Sequence, residues 1–133
     1  MTRSAVRWLD RRIAAPGPHL ALCLSADEFT AACRRLKIRG SDWLKNAHSD
    51  ATAHVFDGPG NRLAIIVCLG EGAATRNPIE VAGLLVHEAV HAWQFYAARI
   101  GESQPGMEQE AYAIQSIAQE LMAEFARRMG ARC

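Results

Sequence analysis

Residues 81–101, VAGLLVHEAVHAWQFYAARIG, carry apolar side chains all the way round a 3.6-residue period, which predicts a helix buried on every side. Asn77-Pro78 marks its start, because proline is tolerated in a first helical turn, and Gly101 marks its end. Upstream, HLALCLS (19–25) reads as a short buried strand after the break APGP. Ser25 followed by Glu28 forms a capping box that opens a second helix, ADEFTAACRRL, closed near Gly40. TAHVF and NRLAIIVCL flank the turn signal DGPG, so residues 52–69 predict a hairpin whose second strand, apolar on both faces, is central or covered. SQPG makes a turn, and MEQEAYAIQSIAQELMAEFARRM gives a last helix with Met107, Ala111, Ile114, Ala118, Leu121, Met122 and Phe125 on its inner side. The order helix or coil, strand, helix, hairpin, helix, helix is that of an α+β domain.

Composition adds bounds. The 133 residues fit a single domain, 1–133, whose core needs neither disulfide nor metal to fold, with residues 1–17 expected as a flexible N-terminal segment. Half the residues are apolar and the net charge is +1, with acids and bases interspersed, so nothing calls for a nucleic-acid partner. The first fifteen residues hold four Arg and no apolar run of a signal peptide, and no later segment approaches a membrane span. Cys23, Cys33, Cys68 and Cys133 form no CxxC pair, and the first three sit in apolar surroundings, as small buried hydrophobes do. The expected location is a reducing cytoplasm.

Three titratable groups interrupt the apolar helix: His87, Glu88 and His91. Two histidines four apart leave the same helix face one turn apart and can converge on one ion, and neutral imidazole nitrogens suit zinc. Glu88, rotated about 100° off that face, can reach a water activated by the metal without itself becoming a ligand. Zinc lowers the pKa of such a water to about 7, and a nearby carboxylate takes its proton as a carbonyl is attacked. With five His and nine Glu in the chain, shuffling would produce H-E-x-x-H about once in a hundred trials. The bland alternative is two buried histidines satisfied by backbone carbonyls with Glu88 salt-bridged to one of them. That arrangement costs several kcal/mol unless every polar atom is paired.

A catalytic zinc site needs a third protein ligand and an open position. Position 97 is Ala, which excludes a third histidine at the H-E-x-x-H-x-x-G-x-x-H spacing. The last helix offers Glu108 and Glu110. Helical phase puts Glu110 nearer the centre of the apolar stripe, whereas Glu108 is followed four residues later by the polar Tyr112, placed to orient a ligand, and Glu110 by Ile114. Glu108 is the expected ligand and Glu110 its alternative. Tyr112, Tyr96, His48 and His54 are candidates for stabilising an oxyanion, and no spacing selects among them. For His48 and His54 the ordinary reading is solvent-facing loop and strand positions; for Tyr96 and Trp93 it is core packing.

HEAVH paired with a downstream ExEAY resembles the small gluzincin-type zinc metallopeptidases, the minigluzincin and ImmA/IrrE-like group, and the short zincin proteins of prophage genomes. The resemblance covers about residues 78–125. It implies zinc on His87, His91 and Glu108, Glu88 as general base, and a peptide or protein substrate. The implied fold is a small mixed or antiparallel sheet over an active-site helix and a C-terminal glutamate helix. In that group an edge strand beside the metal pairs with extended peptide, and residues 52–57 or 62–69 would supply it. Tyr112 departs from the group's pattern, which has Asp or Asn there. Outside the peptidase class stand a non-proteolytic zinc-binding regulatory module closed by Glu110 as a fourth ligand, and a toxin- or immunity-type interaction protein. Within the hydrolases the runner-up is a small-amide hydrolase of the deformylase kind, whose upstream cysteine ligand Cys68 would have to supply from a different sequence context, IIVCLGEG.

Overall fold

Strand pairing starts from the most apolar run of the chain. In the computed structural model, which describes residues 6, 8, 9, 19–38, 43, 44, 50–58 and 62–130, residues 63–69 are all buried within strand Arg62–Leu69. A run that apolar satisfies its backbone only with partners on both sides. His19–Cys23 (β1) pairs with it in parallel, Leu22 beside Val67. Ala51–Gly58 (β2) pairs antiparallel, Ala53 beside Val67. With Arg62–Leu69 as β3, the sheet order is β1-β3-β2. The central place of β3 removes residues 62–69 as an edge strand; of the two expected candidates only β2 lies at an edge.

Helices cover both faces. Ala26–Arg35 (α1) lies on one, where Phe29 and Cys33 pack with Cys23, Ile66 and Cys68. Pro78–Arg99 (α2) and Met107–Arg128 (α3) lie on the other, over Leu20, Leu22, Ile65, Val67 and Leu69. The domain is α+β, with three helices and a small mixed sheet. Alternation along β3 divides the two cores: 63, 65, 67 and 69 face α2 and α3, while 66 and 68 face α1. Cys23, Cys33 and Cys68 are free and buried, as their apolar surroundings predict.

Caps set the helix ends. At α1 the Ser25 hydroxyl accepts from the Glu28 N–H at 3.2 Å, and Glu28 accepts from the Leu24 N–H at 3.3 Å, one residue earlier than a capping box requires. This helix closes at Lys37 rather than near Gly40: Lys37 takes φ 56°, and the Ile38 N–H bonds the Cys33 carbonyl at 2.9 Å. Asn77 caps α2 by accepting from the Ile79 N–H at 2.9 Å. Gly101, at φ 76°, ends α2, and the Glu102 N–H returns to the Ala97 carbonyl at 2.8 Å, so the chain reverses into α3. A 3-10 turn, Glu71–Thr75, joins β3 to α2 where the sequence patterns predict none.

Two packing expectations change. α2 is not buried all round: Ile79 and Val86 are exposed, and the covered face is Val81, Leu85, Glu88, Ala89, Ala92, Trp93, Tyr96 and Ala97. α3 keeps five of its seven expected inner residues against the core, Ala118 and Leu121 buried with Ile114, Met122 and Phe125 packed beside them, but its buried stripe is shifted in the first turns. Ala113, Ile117, Ala118, Leu121 and Glu124 are buried, whereas Met107 and Ala111 are exposed. Glu110 lies on this shifted stripe, three residues before Ala113. Of residues 1–17, Trp8 bridges to Ala21 and Leu9 is buried in the core, its N–H on the Leu20 carbonyl at 2.9 Å. Val6 packs against the core on the α1 side; the other residues of that segment, His48 and Cys133 lie outside the described residues. Among the described residues no helix is long and apolar enough to cross a membrane.

Candidate metal centre

The centre is built on the middle of α2. Leu85, Glu88 and Ala92 fall on one side of the helix at i, i+3 and i+7, so the carboxylate of Glu88 replaces an apolar side chain in the face turned into the fold. Glu88 is only 5% exposed, and its Oε2 is a buried side-chain atom with no hydrogen-bond partner among the described residues. Burial pushes its carboxyl above the ordinary carboxylate range, opposed by the fields of His91, His87 and His54. An orphaned carboxylate oxygen beside two imidazoles is a costly arrangement for a fold with nothing to hold there.

His87 and His91 occupy the neighbouring stripe, His87 exposed and His91 half-buried. Their burial does not supply the cost expected of two buried imidazoles; the cost rests on Glu88 alone. The two Nε2 atoms stand 3.2 Å apart. Two nitrogens each 2.0–2.1 Å from a tetrahedral ion lie about 3.3 Å from one another, so the imidazoles already have the spacing of two zinc ligands. The Nδ1–H of His91 donates to Gln94 Oε1 at 2.9 Å. In a neutral ring that proton leaves Nε2 with its lone pair, aimed at the point shared with His87. The Phe95 ring stacks beside His91, centroids 6.3 Å apart. Gln94 and Phe95 belong to the site, and their i+3 and i+4 spacing from His91 is the sequence signal that could have found them.

The glutamates of α3 part company. Glu110 Oε2 accepts from the Trp93 indole N–H at 2.8 Å. Trp93 lies about 200° round the helix from His91, so Glu110 grips the flank of α2 opposite the histidine stripe. This position argues against Glu110 as third or fourth ligand: it anchors the α2–α3 hairpin. Glu108 is exposed in the first turn of α3. Among the described residues no three His, Cys, Asp or Glu side chains stand together as a complete metal site, so the pair is not joined there by Glu108.

The oxyanion candidates also separate. Tyr112 is 64% exposed, and Tyr96 and Trp93 are core residues, as the ordinary reading has it. His54 is not solvent-facing: it is half-buried on β2, stacked on Phe56 and tilted against Phe29, with Nε2 2.8 Å from the Trp43 carbonyl oxygen. Cys68 lies on the face of the sheet that packs against α1, away from α2, and its hydrogen bond with Cys23 together with burial pushes its thiol up. This weighs against the deformylase-like reading. Comparison of the chain with protein-family models, with curated proteins and with solved structures finds no match.

Proposed function

We propose that the protein is a zinc-dependent metallopeptidase in which His87 and His91 hold the metal and Glu88 is the general base. One observation carries the reading: two imidazole Nε2 atoms 3.2 Å apart beside a buried carboxylate with an oxygen unpaired among the described residues. The donor set fits zinc, since both donors are imidazole nitrogens and the base is the neighbouring carboxylate. When bound, zinc supplies Lewis acidity that polarises a carbonyl and acidifies water.

The chain's own residues do the rest. Glu88 accepts the proton of the attacking water and returns it to the amine nitrogen that leaves. Gln94 holds His91 in the tautomer that presents Nε2. β2, at the sheet edge and packed over α2, offers an extended peptide a backbone to pair with. The buried free thiols suit a reducing cytoplasm.

Metal analysis after zinc loading tests the reading: about one zinc per chain is expected, with hydrolysis of an unstructured protein that stops on chelation. A chain that takes up no zinc at micromolar concentration overturns it. Glu108 is the carboxylate nominated to complete the centre, and the two glutamates are separable by experiment. Glu108→Ala is expected to weaken zinc binding without moving the melting temperature, since Glu108 is exposed. Glu110→Ala is expected to leave zinc stoichiometry intact and cost about 1–3 kcal/mol of stability, because it strands the Trp93 N–H. Unaltered zinc affinity in Glu108→Ala removes that residue from the centre.

A further inference from the structure

The histidine stripe does not end at His91. Phe95 and Ala98 continue it, rotated about 40° and 20° from His91 round the helix axis, and they line a cavity of about 350 Å³ between α2 and β2. Val55, from the strand face that looks at α2, its neighbour Phe56 and Leu63 at the start of β3 complete its apolar wall. Asp57 and Arg99 also line it, ion-paired with each other, which ties the end of β2 to the last turn of α2. The volume is at the low end for ligand pockets, enough for one large side chain and too little for a nucleotide-sized cofactor. The neutralised ion pair gives the pocket no net charge with which to attract a charged group.

We infer that this cavity is a specificity pocket that takes a bulky apolar side chain, of the phenylalanine or leucine class, from the peptide substrate. The inference rests on the metallopeptidase reading above and names its preferred substrate. Phe95 and Ala98 lie four and seven residues beyond His91, about 6 and 10 Å along the helix. Extended chain advances about 3.3 Å per residue, so a peptide laid along β2 with its scissile bond at the histidine pair brings its second or third residue over the cavity. Side chains of a paired strand point to the same face at every second residue, so the second residue is the one turned toward α2. The stacking of Phe95 on His91 makes the pocket wall continuous with the centre.

Two otherwise identical Ser/Ala peptides, one carrying Phe two residues from the cleaved bond and one carrying Ala, are compared by kcat/KM on the zinc-loaded protein. The same pair, fluorescently labelled, is compared by anisotropy on zinc-loaded Glu88→Gln, which reads binding without turnover. The expected result is at least a tenfold preference for Phe in both assays, lost in Ala98→Phe, which fills the cavity from α2; Ala98→Leu repeats the test if that variant fails to fold. Hydrolysis without a Phe preference overturns the pocket and leaves the peptidase. Phe-dependent binding abolished by Ala98→Phe, with no hydrolysis of either peptide, keeps the pocket and overturns the peptidase. Neither hydrolysis nor Phe-dependent binding overturns both.

Discussion

Glu88→Gln is expected to remove hydrolysis while making the metal-free chain more stable, a pairing of effects that a structural carboxylate would not give. The loss follows from the role: a positioned general base contributes about 10²–10⁴ to the rate, and the amide cannot accept the proton. The gain follows from burial. Glu88 is buried with an oxygen unpaired among the described residues and its carboxyl is pushed above the ordinary range, so the fold near neutral pH bears the cost of a poorly solvated charge. Gln keeps the shape without the charge, and relief of about 1–2 kcal/mol corresponds to a rise of about 3–6 °C in melting temperature for a chain of this size. The pH dependence has a definite sign. A carboxyl with a raised pKa in the fold binds its proton more tightly there than when unfolded. Stability is therefore lost as pH rises from the ordinary carboxylate value to the raised one, and is level above it. Thermal melts in chelator at pH 4 and pH 7.5 check this: Glu88→Gln should gain more at the higher pH. A variant less stable than the parent at pH 7.5, or one that still hydrolyses protein at the parent rate, would show that Glu88 is not the strained base of this centre.

The parts of the fold legible from sequence are those fixed by local chemistry. The DGPG turn, the Ser25 and Asn77 caps and Gly101 each specify a backbone event within four residues, and β2, β3, α1, α2 and α3 begin or end at or close to where those signals stand. The pair His87 and His91 was legible for the same reason, since a four-residue spacing on a helix is nearly a geometric fact. What went astray depended on partners far along the chain. α2 is apolar on all sides in composition, yet only one flank meets the sheet and α3, so Ile79 and Val86 are left outside. The face of α3 is set by the bond from Trp93 to Glu110 and by buried Glu124, which Arg127 answers with bonds of 2.8 and 2.7 Å. Helical phase points Glu110 toward the apolar stripe, but counting apolar residues gives no sign of Glu124, because a paired glutamate behaves as a core residue while its letter reads as surface. The same blindness covers the third ligand: nothing local to MEQEAY says which carboxylate the neighbouring helix will claim.

His91→Ala is expected to remove zinc binding altogether while barely altering the metal-free fold, and Gln94→Ala to produce a graded version of the same loss. His91 is half-buried at the surface of α2 and alanine is the better helix former, so stability without metal should stay within about 0.5 kcal/mol of the parent. Zinc present at a hundred times its dissociation constant stabilises a folded chain by about 2.7 kcal/mol, a rise in melting temperature that the parent should show and His91→Ala should not. Gln94 fixes the proton on Nδ1 of His91, and removal of such a partner costs about 10–100-fold in metal affinity with the stoichiometry retained. His87→Ala should match His91→Ala, because each ring supplies one of the two nitrogens that stand 3.2 Å apart. That equality separates a metal pair from its rival, a hydrogen bond between two neutral imidazoles. In the rival case, loss of either ring leaves the response to zinc unchanged, because there was none to lose. Isothermal titration of the parent and the three variants with zinc, together with melts in zinc and in chelator, decides between the two. If the parent and His91→Ala take up zinc with the same affinity, the metal lies elsewhere and the centre on α2 falls.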